Sequence, residues 1–193
     1  MRFKESITPE EIEGMELIAF PGEIKVITEE GPEFDAAVRD LASCRMIGFD
    51  TETKPVFTPH APRCPTALLQ LSSEETSYLF RLHTLGIPKS LANILSSKTI
   101  TKVGAAVNDD VRGLQHFCRF EPARFMDLQH FAEQYGIKDK SVKKLTAIIL
   151  GRRVSKAQQL SNWEAQQLSW PQQLYAATDA WICLVMYKRL LES

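Results

Sequence analysis

The stretch from Met46 to Lys54 constrains the fold of this chain more than any other. A short apolar segment leads there directly into Asp50 and Glu52, two carboxylates spaced two positions apart. Side chains at i and i+2 of an extended strand point to the same face, so the two acids would project side by side. Like charges held this close are costly unless a cation lies between them. The pattern predicts either half of a divalent-metal site or, more simply, a solvated strand end.

The length of the chain predicts one domain with its own apolar core. A chain of 193 residues can bury such a core without crosslinks. Its first 21 residues are rich in glutamate. We therefore expect an acidic N-terminal leader over 1–21 and a single domain over 22–193. The formal net charge of −1 gives no overall attraction to nucleic acid, so any such binding would depend on local charge.

The cysteines and the apolar runs bear on the compartment. Four cysteines are scattered along the chain without a Cys-x-x-Cys pair, which argues against structural zinc and predicts reduced thiols in the cytoplasm. The N-terminus has no apolar signal core, and no apolar run approaches the length of a membrane span. We therefore expect a cytoplasmic protein without a membrane partner.

The hydrophobic pattern predicts a mixed α/β sheet with helices on both faces. An amphipathic helix is expected over 33–43, and a proline-rich loop runs from Pro55 to Pro65. Short connections between three consecutive strands suggest an antiparallel meander. After residue 90 the pattern is helical, interrupted by one short strand. The expected strands are 22–28, the strand that begins at Met46, 66–71, 76–80 and 99–103.

A third carboxylate is predicted on the apolar face of a helix that opens near Val107. Asp110 shares this face with Val111 and Leu114, whereas Asp109 falls on the solvent side. A carboxylate held against the core needs a partner, and a metal is one candidate. The alternative is a helix N-terminal charge that complements the dipole, which suits Asp109 better than Asp110.

A fourth carboxylate lies on the C-terminal helix, predicted over 171–191. Asp179 occupies a position of the apolar stripe, and Tyr175 precedes it by one turn. The phenol and the carboxylate can therefore reach the same point in space. The simpler interpretations are a core tyrosine with a wet hydroxyl and a buried carboxylate bonded to the backbone.

Basic residues concentrate between 138 and 156, with Asp139 as the one acid among them. Such a run is either a phosphate-binding surface or a solvated helix face. Four acids on three separate elements could be buried together only at a prohibitive cost. With two Mg²⁺ or Mn²⁺ ions, the same cluster becomes a site for phosphodiester cleavage. The basic residues of the run are Lys138, Lys140, Lys143, Lys144, Arg152, Arg153 and Lys156.

Three motifs in order resemble those of the DEDD 3′–5′ exonuclease superfamily. They are Phe49–Thr53, the segment from Lys102 that leads to Asp110, and the segment 175–180. The tyrosine four residues before the last aspartate is similar to the DEDDy branch of this superfamily. The segment 160–163, followed by the segment 172–175, is most similar to the exonuclease domain of the Werner syndrome helicase and its stand-alone relatives, with ribonuclease D next. The resemblance covers residues 22–191.

The resemblance implies a ribonuclease-H-like fold and the removal of nucleoside 5′-monophosphates from a 3′ end. It implies that Asp50 bridges two metals and that Glu52 and Asp179 complete the site of the metal that activates water. Asp110 would hold the second metal, directly or through water. Tyr175 would orient the attacking water and help to accept its proton.

Substrate contacts are implied less directly. We expect Thr51, Lys54, Arg152 and Arg153 to contact the substrate, and Trp163 to pack in the core rather than stack on a base. The partner is a DNA or RNA 3′ end, with DNA favoured. No helicase domain accompanies the motifs, so we expect targeting by this domain or by a partner such as a helicase or repair protein. The alternatives are a ribonuclease D-like enzyme that trims RNA and a non-catalytic nucleic-acid-binding domain of the same fold.

Overall fold

A computed structural model of the chain describes residues 3–58 and 64–193. Within these ranges the chain forms six strands and eight helices. Pro59 and Pro62 of the predicted proline-rich loop lie outside the described residues. In chain order the elements are α1 (Pro9–Glu13), β1 (Glu23–Ile27), α2 (Pro32–Ser43), β2 (Met46–Thr53), β3 (Thr66–Ser72), β4 (Thr76–Arg81), α3 (Leu82–Leu85), α4 (Lys89–Leu95), β5 (Thr101–Gly104), α5 (Val107–Gln115), β6 (Phe125–Asp127), α6 (Leu128–Glu133), α7 (Val142–Leu150) and α8 (Trp170–Leu191).

The strands form one mixed sheet in the order β1-β4-β3-β2-β5-β6. β2, β3 and β4 pair antiparallel, which confirms the predicted meander. β1 pairs parallel with β4, and β5 pairs parallel with both β2 and β6. This mixed sheet, covered by helices, confirms the predicted α/β class.

Alternation along the central strands produces a core on each face of the sheet. Ile47 and Phe49 of β2 point to a core that includes α2, α4 and α5. Leu68 of β3 and Leu79 of β4 point to the opposite face, where they pack against the N-terminal half of α8. The two faces of β2 therefore meet different helices, which decides where its polar side chains lie.

The prediction of one short strand after residue 90 is wrong, because β6 is a second one. β6 has only three residues, and all three are half-buried. Such a strand shows no alternation of apolar and polar residues, and its pairing with β5 defines it instead.

The N-terminal segment packs against the body of the domain. Ile7 and Ile12 are buried against Ala147 of α7. Phe20 contacts the ring of Trp181 edge-on, with ring centroids 5.7 Å apart. Residues 3–20 therefore add their own apolar contacts to α7 and α8. No helix in the described part of the chain, including the 22-residue α8, is long and apolar enough to span a membrane.

Candidate active site

A close approach between β2 and α8 builds the site. Gly48 lies two residues before Asp50 on the face of β2 that meets α8. A Cβ at Gly48 would lie 2.0 Å from the backbone oxygen of Ala180, so only glycine permits this contact. Because Asp179 immediately precedes Ala180, the close approach brings its carboxylate to the end of β2.

The structure brings three of the predicted acids together. Asp50, Glu52 and Asp179 each offer one carboxylate oxygen, and these oxygens lie within 4.8 Å of one another. All three residues are half-buried. Carboxylate oxygens are the ligands that Mg²⁺ and Mn²⁺ prefer, and the donor set therefore fits a hard divalent cation.

Burial and mutual repulsion make the clustered carboxyls difficult to ionise. Burial raises the pKa of Asp50 well above its usual range, and the charges of Asp179 and Asp110 raise it further. Burial, followed by the charges of Asp50, Asp179 and Asp110, raises the pKa of Glu52 to about 10. These carboxyls are costly to ionise together, and a bound cation would remove that cost.

Asp110 joins the site from α5. The helix starts after Ala106, which has a left-handed backbone with φ of 56° and donates its N–H to Asp127 Oδ1. Asp110 Oδ1 accepts a hydrogen bond of 2.6 Å from Thr51 Oγ1. Burial raises the pKa of Asp110 to about 6 although this hydrogen bond opposes the rise. Asp110 is thereby tied to the strand that carries Asp50.

Asp109 lies on the other side of α5, as predicted. It is exposed and pairs with Arg112 at 3.2 Å, within its own helix. The two adjacent aspartates therefore have different surroundings, Asp109 in solvent and Asp110 against β2. Thr51, predicted to contact substrate, donates to Asp110, and its contact with substrate stays a prediction.

Tyr175 and Asp179 are one turn apart on α8, and a hydrogen bond joins the phenol to the carboxylate. Burial raises the pKa of Asp179 to about 6, while this hydrogen bond and the charge of Lys156 oppose the rise. Burial and the nearby Asp179 and Glu52 raise the pKa of the tyrosine far above its usual range. Tyr175 is therefore a neutral hydrogen-bonding group. Its ring packs at 5.9 Å from Trp163, which is fully buried, as expected for a core residue.

Lys156 is a functional candidate that the sequence did not single out. Its positive charge lowers the pKa of all three clustered carboxyls, so it lies within electrostatic range of them. It is exposed, and it has no salt-bridge partner among the residues in the described ranges. In the sequence it was one of seven basic residues between 138 and 156, and nothing there distinguished it.

The basic residues that were predicted to contact substrate bind other parts of the protein. Lys54 pairs with Glu164 at 3.2 Å. Arg152 pairs with Glu16, and Arg153 Nε donates to the backbone oxygen of Met15. These two arginines thus bind the N-terminal segment, and substrate binding by Lys54, Arg152 and Arg153 stays a prediction.

A mixed sheet whose central strand ends in a carboxylate cluster is an arrangement suited to metal-dependent hydrolysis, and sequence comparison gives the family. A family model described as 3′–5′ exonuclease matches residues 26–193. The chain belongs to this 3′–5′ exonuclease family. It is 37% identical to exonuclease 3′-5′ domain-containing protein 2 of Drosophila melanogaster over 76% of this chain and 25% of that protein. It is 29% identical to the bifunctional 3′-5′ exonuclease/ATP-dependent helicase WRN of Mus musculus over 92% of this chain and 13% of that protein. The chain thus spans a quarter or less of the length of these relatives.

Solved structures confirm the ribonuclease-H-like fold. The Nibbler EXO domain of Aedes aegypti superposes with a TM-score of 0.78 at 20% identity, covering 91% of each chain. Escherichia coli RNase D gives 0.77 at 23% identity over 88% of this chain and 44% of that one. RNase D of Trypanosoma brucei, in complex with RNA U12, superposes with a TM-score of 0.78 at 21% identity. The match covers 90% of this chain and 64% of that one.

Proposed function

We propose that this chain is a metal-dependent 3′–5′ exonuclease that hydrolyses nucleic acid from the 3′ end and releases nucleoside 5′-monophosphates. The observation that carries the proposal is the cluster of Asp50, Glu52 and Asp179 within 4.8 Å, in a chain of the 3′–5′ exonuclease family. Asp110 and Tyr175 lie beside this cluster and complete the residue set of the DEDDy branch.

We assign a role to each residue from its position. Glu52 and Asp179 would hold one cation, and Asp110 would hold the other. Asp50 would contribute to both, because the charges of both Asp179 and Asp110 act on its carboxyl. Two Mg²⁺ or Mn²⁺ ions would supply a lowered pKa for the attacking water and neutralise charge on the phosphate. Tyr175, neutral and bonded to Asp179, would orient the water by its hydroxyl.

The substrate strand would enter through a cleft beside Asp110. This cleft has a volume of about 690 Å³ and is lined by Thr51, Asp110, Arg112 and His116. The volume is within the range of small-molecule and cofactor sites. Lys156, next to the carboxylates and free of a salt-bridge partner in the described ranges, would meet a phosphate that enters the site.

We propose DNA as the favoured substrate, in keeping with the similarity to the exonuclease–helicase of mouse. The specific observation that favours RNA is the structural similarity to an RNase D in complex with RNA. A non-catalytic binding domain is the weakest alternative. Carboxyls with a raised pKa destabilise the ionised protein, and a scaffold without a cation would gain nothing from them.

Oligonucleotides of one sequence, made as DNA and as RNA and labelled at the 5′ end, test this proposal. With Mg²⁺ or Mn²⁺, we expect a ladder of products that shorten from the 3′ end. Single-stranded and recessed-duplex forms then rank the substrates. No shortening of any of them, or an immediate release of the 5′ label, contradicts the proposal.

A further inference from the structure

Gln70 lies directly opposite Asp50 in the sheet and is the buried polar side chain nearest to it in register. β3 pairs with β2 so that Gln70 faces Asp50, and Leu68 faces Glu52. Residues directly opposite in an antiparallel pair share a face, with Cβ atoms about 5 Å apart. Gln70 and Asp50 therefore project from the same face of the sheet, the α8 side.

The amide of Gln70 is fully buried and has an unused hydrogen-bonding capacity. Neither Nε2 nor Oε1 has a hydrogen-bond partner among the residues that the structure describes. Leaving such a group unpaired costs free energy, and an apolar side chain of similar size would avoid that cost. β3 is otherwise largely apolar, so a structural role alone does not account for this glutamine.

Two groups on the same face could use this amide. The carboxylate of Asp50 can accept a hydrogen bond, and the indole Nε1 of Trp163 is a buried donor that likewise has no partner within the described ranges. Trp163 packs with Leu68 and Leu79. Leu68 lies two residues before Gln70 on β3, and Leu79 lies opposite Gln70 on β4. Neither a hydrogen bond from the amide to Asp50 nor one from Trp163 to the amide is present in the described part of the chain. If the amide reorients when Asp50 is ionised, Gln70 Nε2–H can donate to Asp50 and Gln70 Oε1 can accept from Trp163 Nε1–H.

We propose that Gln70 is a positioning residue for Asp50: once bound cations ionise Asp50, Gln70 Nε2–H donates a hydrogen bond to its carboxylate and holds it in the orientation that presents both oxygens to the cations. This inference rests on the proposed function. Neighbouring hydrogen bonds of this kind fix the orientation of metal-ligating carboxylates. The glutamine supplies this bond without adding a charge to a cluster that is already crowded with carboxylates. Trp163 completes the arrangement by fixing the amide from the other side.

The test compares metal affinity with the stability of the metal-free protein. Gln70→Leu should weaken Mn²⁺ binding, measured by calorimetric titration, by about 10-fold or more. Its melting temperature without metal should equal or exceed that of the wild type, because an apolar group replaces an unpaired amide. A merely structural role would lower stability and leave affinity unchanged or lower both. Gln70→Met is the second variant if the leucine fails to fold.

Ser72→Ala is the matched control. Ser72 is buried on the same face of β3, two residues further on, and opposite Gly48 rather than an acid. The Mn²⁺ affinity of Ser72→Ala should stay within about twofold of the wild type, since Ser72 has no carboxylate to position. Wild-type affinity in both Gln70 variants, or a loss of stability in both, overturns the inference. A wild type that neither binds Mn²⁺ nor releases mononucleotides overturns the proposed function instead.

Discussion

Tyr175 and Asp179 are joined by a hydrogen bond one turn apart on α8, and burial together with the nearby acids raises the pKa of the phenol so that it stays protonated. Tyr175→Phe should therefore lower kcat by about 10²-fold, in the range expected for a group that assists proton transfer. Metal affinity should stay close to that of the wild type, since the carboxylates remain. Single-turnover rates and Mn²⁺ titrations separate the two effects, and a variant that loses metal affinity to the same extent as rate contradicts this role.

Lys156 should set the pH at which the site becomes active. Its charge lowers the pKa of Asp50, Glu52 and Asp179, so Lys156→Ala should raise each pKa and move the acid limb of the pH–rate profile to higher pH. High salt should shrink this shift, because the lysine is exposed. Lys143→Ala is the control from the same basic run. Equal profiles for Lys156→Ala and the wild type would remove Lys156 from the site.

Single residues differ in how far the sequence could reveal them. The sequence predicted the shared face of Asp50 and Glu52 and the buried face of Asp110. Side-chain direction within one element follows from the period of 2 in a strand and 3.6 in a helix. Lys156 was not readable, because its proximity to the acids depends on how the segment after α7 folds back over α8. Gln70 left a faint signal, as the polar position in an apolar strand, but its partner lies on another strand.

At the level of elements, the contact between β2 and α8 determines the geometry of the site. Gly48→Ala would place a Cβ against the backbone oxygen of Ala180. We expect it to lower the free energy of unfolding by about 2 kcal/mol, as overpacking against rigid backbone does. It should also weaken Mn²⁺ binding, because α8 must move away from β2 and take Asp179 with it.

Gly14→Ala provides the matched control for Gly48→Ala. A Cβ at Gly14 would meet no atom within 4 Å, and the residue has an ordinary φ of −76°. Denaturant unfolding of the two variants gives the comparison. Equal stability of the Gly48 and Gly14 variants would contradict the importance of the β2–α8 contact.

Elements with a long or regular pattern were predicted to within a few residues, and the others were not. The observed ranges of β2, β3, β4, α2 and α8 agree with the predicted ones, because each is an apolar or amphipathic segment with a clear start or end signal. β6 has three half-buried residues and depends on its pairing with β5. The pairing of Arg152 with Glu16 was equally unreadable, because it joins segments more than a hundred residues apart.

For the whole molecule, the acidic cluster should reduce stability in the absence of metal. Asp179 has a folded pKa of about 6, above the reference of 3.8, so the native state holds more protons between these values. The stability of the metal-free protein should therefore fall as pH rises through this window and stay lower above it. Asp179→Asn should melt at a higher temperature than the wild type, with a wider gap at pH 8 than at pH 5.

Mn²⁺ provides the complementary measurement. At pH 8 it should raise the melting temperature of the wild type by at least about 3 °C, which for a chain of this size corresponds to about 1 kcal/mol. It should have little effect on Asp179→Asn, which lacks one ligand. Thermal scans with and without Mn²⁺ check both statements, and an equal rise in the two proteins would show that the cation binds elsewhere.

The function proposed for the carboxylate cluster, loaded with divalent cations, is the removal of nucleotides from a 3′ end. The most direct test is the release of labelled mononucleotide from a 3′-labelled single-stranded oligonucleotide, with and without Mg²⁺ or Mn²⁺. We predict cation-dependent release by the wild type, none by Asp50→Ala, and most of the wild-type rate from Asp109→Ala, whose carboxylate faces solvent. Absence of release by the wild type, or release by Asp50→Ala at the wild-type rate, would contradict the claim.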